Sequence, residues 1–342
     1  MTEWNYLKRS PAEGYRIGIV NPLTLVGKEL ASILGERNFP YANIALIDTA
    51  GDEEGTLTDF DGAASVVVPA SDEAFEALDL VFFTGPGEKN EPWLGRHHEL
   101  GFVAIDLSQP AGLPGEGIAL VAGVNDDKLD PGVGLYLSAH PMILPVALIL
   151  HRLDRAFPVD MAAATITRPA SEFGQKGIDE LFQQTVQTLN LQAIPTEIFD
   201  RPTAFTAYVP ADAPMIEAYA SAQLQSILGT GSPVSLMLQQ GALFHAHLFS
   251  LFVVLQEPAG ETEVRALLEK AAGLEMADPD EPWSTLDAAG KDDVLIGRVS
   301  RDLANSRAWF IWAASDNLRR SSALNGVLIA EELIARFGPK PN

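Results

Sequence analysis

Short apolar runs recur through residues 15–106, and polar or helix-forming segments separate each run from the next. They are Tyr15–Val20, Ile44–Asp48, Ser65–Pro69, Leu80–Thr84 and Phe102–Asp106. Runs of this kind, rich in Val, Ile and Phe, are typical of strands buried on both faces, and Leu25–Leu34 after the first has helical spacing. Alternation of strands and helices predicts a parallel sheet, with any site at the carboxyl ends of its strands.

The pattern changes after Pro141. Longer amphipathic helices are predicted at Gly177–Leu189 and Pro214–Leu228. Candidate strands lie in the same region, at Met161–Thr167, Leu243–Leu255, Val294–Val299 and Ala308–Ala314. Leu243–Leu255 carries large apolar side chains on both faces, so one face packs on a core and the other needs cover. Helices of the same chain or a second copy of it would provide that cover.

Composition limits the function classes. A length of 342 residues favours two domains, and the absence of cysteine excludes disulfides. No apolar run is long enough to span a membrane or to form a secretory signal, so we expect a cytoplasmic protein. The 23 Lys and Arg residues are scattered in a chain of net charge −23, which makes nucleic acid and membrane poor partners.

The segment Ser315–Ile334 carries the most specific motif, S-D-N-L-R-R-S-S-A-L-N-G-V-L-I-A-E-E-L-I. It resembles the end of aspartate-semialdehyde dehydrogenases, where D-N-L-R-K-G-A-A-x-N leads into a closing helix. The resemblance covers nearly the whole chain and implies an α/β protein. Residues 1–139 and 315–342 would form a Rossmann-type dinucleotide-binding domain, and residues 140–314 an α+β dimerisation domain. Homodimerisation is implied with it.

The resemblance also allows the cofactor turn to be compared. The family has G-A-T-G-A-V-G between the first strand and helix, where this chain reads N-P-L-T-L-V-G. Asn21 and Thr24 replace the first two glycines and only Gly27 remains. Asn tolerates left-handed backbone angles, but the Thr24 side chain stands where a phosphate must come close. NAD or NADP is therefore expected to bind weakly if at all.

Two further residues are candidates for weak cofactor contact. Asp48 ends the second strand, where an acid would bind an adenine-ribose hydroxyl. The family's NADP-dependent members typically have Ser-Ala-Arg here, so the missing arginine favours NAD; an ordinary strand-end aspartate is an equal interpretation. Asn317 matches a family residue that contacts the cofactor, and it is equally suited to capping a helix.

The family's reaction begins with a cysteine in N-P-N-C-S-T, before a helix. Alignment on the proline places Ile143 at the cysteine, and a shift of one residue would place Met142 or Leu144 there. None of these side chains can attack a carbonyl carbon. The family's orienting glutamine stands in Q-A-V-S-G-A-G and corresponds to Arg168. The first glycine of that motif, four residues later, corresponds to Glu172.

The anion-binding cations of the family are also replaced. Gly112, Tyr219 and Gln240 stand at or near the three positions, and only His247 keeps its identity as a vestige of the catalytic set. A lone histidine on an apolar strand is more often structural than catalytic. No metal site is expected, because His97-His98 has no acid or histidine at ligand spacing.

The chain is therefore expected to be a Usg-type homologue without catalysis. Its predicted function is binding or structural, as a homodimer with an unidentified protein or small-molecule partner. The rival hypothesis is an NAD(P)-dependent oxidoreductase that acts on an aldehyde or semialdehyde in amino-acid biosynthesis without a cysteine nucleophile. Residual dinucleotide binding would favour the rival.

Overall fold

The computed structural model describes residues 7–60, 62–108, 117–229 and 231–339, with only the backbone of residue 63. Within these residues the chain forms two compact units. The first contains the residues up to Ala139 and those from Ser322 onward, and the second is His140–Ser321.

The first unit is built on a parallel sheet. Its strands, together with a separate hairpin, are β1 Tyr15–Val20, β2 Tyr41–Asp48, β3 Leu57–Phe60, β4 Ala63–Val66, β5 Val68–Pro69, β6 Leu80–Phe83, β7 Val103–Asp106, β8 Ile118–Leu120 and β9 Leu135–Ser138. The sheet order is β5-β2-β1-β6-β7-β9-β8, with every neighbouring pair parallel. The predicted Rossmann-type class is confirmed.

The helices between these strands are α1 Leu25–Glu36, α2 Asp72–Phe75, α3 Gly87–Leu94 and α4 His97–Leu100. One predicted strand is divided. Ser65–Pro69 contributes its first half to the antiparallel hairpin β3–β4, and its second half to the edge strand β5. An edge suits Pro69, which has no backbone N–H to donate to another strand.

The second unit combines a mixed sheet with long helices. Its elements are α5 Leu144–Ala156, β10 Val159–Arg168, α6 Gly174–Leu189, β11 Ala207–Tyr208, α7 Ala213–Leu228, β12 Val234–Gly241, β13 His247–Leu255, α8 Glu261–Glu269, β14 Leu274–Met276, β15 Val294–Arg301 and β16 Ala308–Ser315. The sheet order is β11-β12-β10-β13-β16-β15-β14. This arrangement agrees with the α+β prediction.

Strand β13 shows how the long apolar run is used. It begins at His247 rather than Leu243, because the carbonyls of Leu243 and Phe244 accept hydrogen bonds from the Ala170 and Ser171 N–H groups. Alternate side chains such as Phe249 point into the core and are fully buried. The strand therefore has the predicted inward face, and its other face lies on the opposite side of the sheet.

The opposite side, which we call the outer sheet face, is apolar and open to solvent in the single chain. Met161, Met237, Phe310 and Trp312 are its large exposed members, with Trp312 38% exposed. Phe252 pairs with Phe310 across β13 and β16, and their ring centroids lie 5.3 Å apart. Several large apolar side chains exposed on one sheet face are typical of a protein–protein interface.

A final helix, α9 Asn325–Phe337, follows a π-helix at Arg319–Leu324 and belongs to the first unit. Its apolar side packs into the core below the parallel sheet through residues such as Val327 and Leu333. Asn325 fixes its start by donating to the Leu120 carbonyl and accepting from the Ala122 N–H.

None of the helices in the described ranges is long and apolar enough to cross a membrane.

Candidate functional site

The turn between β1 and α1 is built around a buried asparagine. Asn21 has φ 53° and no exposed surface, so the residue does adopt the left-handed angle that a glycine would otherwise supply. Its Nδ2 donates to the Thr84 carbonyl at 2.8 Å and to Thr49 Oγ1 at 2.9 Å. Its Oδ1 accepts from the Thr49 N–H at 2.9 Å. The side chain thus fills the turn from inside.

Thr24 and Gly27 complete this turn. Thr24 Oγ1 accepts a hydrogen bond from the Gly27 N–H at 3.0 Å and lies 2.9 Å from Thr84 Oγ1. It is the N-cap of α1, which satisfies one of the helix's open N–H groups. A Cβ at Gly27 would lie 2.7 Å from the Asn21 carbonyl oxygen, so glycine is required for the helix to approach the turn.

Asp48 is buried at the end of β2, and its carboxylate organises the following loop. Its two oxygens accept four backbone N–H groups, those of Ala50, Gly51, Glu53 and Glu54. Burial raises the pKa of this carboxyl, but the four hydrogen bonds outweigh burial and lower it overall. Both carboxylate oxygens are thus engaged in holding the loop. Binding of a ribose hydroxyl by Asp48 stays a prediction.

The loop held by Asp48 brings Glu53 against the cofactor turn. Glu53 Oε2 accepts a hydrogen bond from the Leu23 N–H at 3.1 Å, and burial raises the pKa of the Glu53 carboxyl. A dinucleotide's pyrophosphate would bind N–H groups of this turn. Leu23 already donates to a carboxylate and Gly27 to Thr24, so this arrangement does not fit a pyrophosphate.

In the second unit, Ile143 is the residue immediately before α5 and is fully buried. Met142 and Leu144 are equally buried, so all three registers place an apolar side chain at the helix start. His140 donates its N–H to Gln223 Oε1 at 2.7 Å, and burial lowers the pKa of its imidazole to about 4. The segment therefore contains no nucleophile.

Arg168 and Gln240 bind each other on adjacent parallel strands. Arg168 Nε donates to Gln240 Oε1 at 2.9 Å, and Gln240 Nε2 donates back to the Arg168 carbonyl at 3.0 Å. Both side chains are buried, and Arg168 Nη1 also lies 3.1 Å from an Asp212 carboxylate oxygen. The guanidinium is thereby satisfied within the chain.

Glu172 connects this pair to the retained histidine. Its Oε2 lies 2.7 Å from His247 Nε2, and its Oε1 lies 3.8 Å from Arg168 Nη1. Burial raises the pKa of Glu172, but the hydrogen bond from His247 and the charges of His247, His140 and Arg168 lower it to about 2. His247 Nδ1 is buried and has no hydrogen-bond partner among the described residues.

Asn317 braces the same region. Its Oδ1 accepts hydrogen bonds from Ser171 Oγ at 2.9 Å and from the Ala246 N–H at 3.2 Å. Ser171 and Ala246 directly precede Glu172 and His247 in sequence. The cap of the following turn comes from Asp316, whose carboxylate accepts the Leu318 and Arg319 N–H groups. Asn317 therefore positions the two segments that carry Glu172 and His247.

Four of the predicted positions thus form one buried polar cluster, which we define as Arg168, Glu172, Gln240 and His247 with Asp212. Tyr219 lies to one side of it, where its hydroxyl accepts from Gln223 Nε2. Gly112 lies outside the described residues. No group of three or more His, Cys, Asp and Glu residues in the described ranges is placed to hold a metal ion.

Sequence reasoning missed Glu53 and Asp212. Glu53 lies in an acidic loop and Asp212 at the start of α7, and neither stands in a motif. Their contacts arise from segments far apart in the chain, Glu53 with Leu23 and Asp212 with Arg168. No local sequence signal could have identified either residue.

The chain thus combines a parallel dinucleotide-type sheet in one unit with a mixed sheet in the other. The family model described as semialdehyde dehydrogenase, NAD binding domain, matches residues 16–131, and the one described as semialdehyde dehydrogenase, dimerisation domain, matches residues 151–320. The chain belongs to the semialdehyde dehydrogenase family.

Relatives of nearly equal length support this assignment. The chain is 26% identical over 340 residues to an aspartate-semialdehyde dehydrogenase of Prochlorococcus marinus, covering 96% of this chain and 98% of that one. It is 27% identical over 334 residues to a "USG-1 protein homolog" of Pseudomonas aeruginosa, with 94% and 98% covered.

Solved structures give the same fold. A probable aspartate-semialdehyde dehydrogenase from Pseudomonas aeruginosa matches with a TM-score of 0.87 at 26% identity, covering 95% of this chain and 99% of that one. Aspartate semialdehyde dehydrogenase II from Vibrio cholerae, complexed with ASA, matches with a TM-score of 0.89 at 24% identity, covering 94% and 99%. The second likeness supports the fold alone.

Proposed function

We propose that this protein is a catalytically silent, homodimeric member of its family, of the Usg type, with a binding or structural role. The buried polar cluster carries the proposal. Arg168, at the position of the orienting glutamine, and Gln240, at that of an anion-binding arginine, bond each other, and Glu172, at the nearby glycine, bonds His247. These polar groups are therefore engaged within the chain rather than with a substrate. The chain also contains no cysteine.

The chemistry of the family requires a thiolate that attacks an aldehyde carbon and a base that accepts a proton. Ile143 has no lone pair to donate. His247 Nε2 faces the Glu172 carboxylate at 2.7 Å, so this nitrogen carries a proton and cannot accept one. The remaining nitrogen, Nδ1, is buried, so His247, the one residue of the family's catalytic set that this chain retains, has no nitrogen open to a reacting group.

Restoring the nucleophile tests the proposal. The variant Ile143→Cys is expected to show no phosphate-dependent oxidation of aspartate semialdehyde, because Arg168, Glu172 and Gln240 still replace the orienting and anion-binding groups. Reduced-cofactor absorbance measures the rate, with NAD and NADP in parallel. Met142→Cys is a matched control for the sequence register, since this neighbouring side chain is equally buried. Substantial turnover by either variant would contradict the proposal.

Cofactor affinity provides a second prediction. We expect NAD and NADP to bind in the high micromolar range or more weakly, because Glu53 places a carboxylate on the Leu23 N–H and would repel a pyrophosphate. Asn21→Gly with Thr24→Gly should tighten binding at a cost in stability, and Glu53→Gln should tighten it by removing a charge. Calorimetric titration measures the NAD and NADP affinities of the unaltered protein, the double variant and Glu53→Gln. Micromolar affinity of the unaltered protein would support the rival hypothesis, an NAD(P)-dependent oxidoreductase.

A further inference from the structure

We propose that Glu172 is a built-in ligand, whose side-chain carboxylate occupies a site for a small carboxylate anion between His247 and Arg168. The inference deepens the proposed function and rests on it, because it gives the reason why the second unit does not bind a substrate anion. It also names the ligand that the site would accept if Glu172 were shortened, a monocarboxylate of two or three carbons.

The contacts of Glu172 are those of a bound anion rather than of an ordinary surface acid. One oxygen receives the His247 Nε2–H at 2.7 Å and the other faces Arg168 Nη1 at 3.8 Å. The His247 side chain is 0% exposed and that of Arg168 only 4%, whereas that of Glu172 is 18% exposed. A buried imidazole N–H and, at ion-pair distance, a buried guanidinium thus face one carboxylate that enters from a turn.

The charges around the site favour an anion. Although burial raises the pKa of the Glu172 carboxyl, the His247 hydrogen bond and the Arg168 charge help to lower it to about 2, so the group is a carboxylate at pH 7. The opposing carboxylate is that of Asp212, which binds Arg168 Nη1 at 3.1 Å from a partly exposed position. Gln240 takes the Arg168 Nε–H. Among these groups His247 Nε2 therefore bonds only the Glu172 carboxylate, whereas Arg168 is also held by Gln240 and Asp212.

The turn that carries Glu172 is fixed independently of its carboxylate. Residues Ala170–Phe173 form a short 3-10 turn after β10. The Ala170 and Ser171 N–H groups donate to the Leu243 and Phe244 carbonyls, and Ser171 Oγ donates to Asn317 Oδ1. Shortening Glu172 should therefore leave the surrounding backbone in place. The His247 Nε2–H would then be buried without a partner, and Arg168 would keep Asp212 and Gln240 but lose the nearby Glu172 charge. An unpaired buried donor costs stability, and an added anion relieves that cost.

The size of the removed group sets the matching ligand. Glu172→Ala removes one methylene and the carboxylate, which corresponds to acetate. Glu172→Gly removes a further methylene, which corresponds to propionate, and it also loosens the backbone, so the alanine variant is the primary one. Glu172→Gln keeps the volume filled without the charge and serves as the matched control. Acetamide has the shape of acetate without its charge.

Thermal unfolding of the full chain at pH 7 in sodium acetate, against sodium chloride of equal ionic strength, tests the inference. Glu172→Ala is expected to melt below the unaltered protein in chloride and to gain about 2–4 °C in saturating acetate. The unaltered protein and Glu172→Gln should gain nothing specific from acetate, and acetamide should have no effect on any of the three. An equal response of all three proteins to acetate, or none in Glu172→Ala, would overturn the inference.

If Glu172→Ala does not fold in chloride, the yield of folded protein after refolding replaces the melting temperature. Acetate must then restore folded protein and chloride must not; failure of acetate to do so also overturns the inference. These readouts do not involve turnover. Semialdehyde oxidation by the unaltered protein would defeat the proposed function, whereas the absence of an acetate response would defeat only the built-in ligand.

Discussion

Asn21→Ala is expected to lower the free energy of unfolding by about 3 kcal/mol, more than most single substitutions. Its buried amide bonds Thr49 and the Thr84 carbonyl inside the first unit, and Asn90 accepts a further hydrogen bond at 3.2 Å. Truncation leaves the buried Thr84 carbonyl and Thr49 N–H with fewer partners. Alanine also fits the left-handed angle at this position poorly.

Urea unfolding measures the effect, and Asn38→Ala separates its two causes. Asn38 has φ 51°, close to the 53° of Asn21, but its side chain is exposed. Only the backbone cost should appear there, about 1 kcal/mol. Equal losses at both positions would show that the hydrogen bonds of Asn21 contribute nothing measurable to the turn.

Phe310→Asp combined with Trp312→Asp is expected to convert the proposed homodimer into a monomer at low micromolar concentration. Both side chains lie on the outer sheet face, next to Phe252, and no helix of the described chain covers them. Two buried carboxylates at the centre of an interface would each cost several kcal/mol, on the order of 2–4, which exceeds what the remaining contacts can offset.

Sedimentation equilibrium measures this prediction. The unaltered protein should show about twice the 36.8 kDa chain mass, and the double variant the mass of one chain. Leu57→Asp is the control, since Leu57 is 70% exposed on a strand of the other unit and should not affect assembly. A monomeric unaltered protein would remove the dimer from the proposal, and a dimeric double variant would place the interface elsewhere.

The parallel sheet could be predicted because its strands are short and uniformly apolar. Tyr15–Val20 and Leu80–Phe83 lie where their sequence suggested, since burial on both faces leaves a signal that needs no tertiary information. The Ser65–Pro69 pattern predicts one strand, and its division between a hairpin and a sheet edge depends on pairing partners that periodicity does not encode.

The candidate site was predictable only in part. The resemblance gave the residue identities at Arg168, Glu172 and Gln240, but not that these replacements would bind one another. Their contacts depend on strands β10 and β12 lying side by side in parallel, a pairing between segments about 70 residues apart. Glu53 was missed for the same reason, because its partner Leu23 lies in a different element.

The steady-state rate of aspartate-semialdehyde oxidation by the unaltered protein, with phosphate and with NAD or NADP, tests the central claim most directly. Absorbance of the reduced cofactor should rise no faster than in buffer, because the chain has no cysteine and its catalytic positions are bonded to one another. A rate that is clearly above the buffer control and proportional to protein concentration would contradict the claim that this family member is catalytically silent.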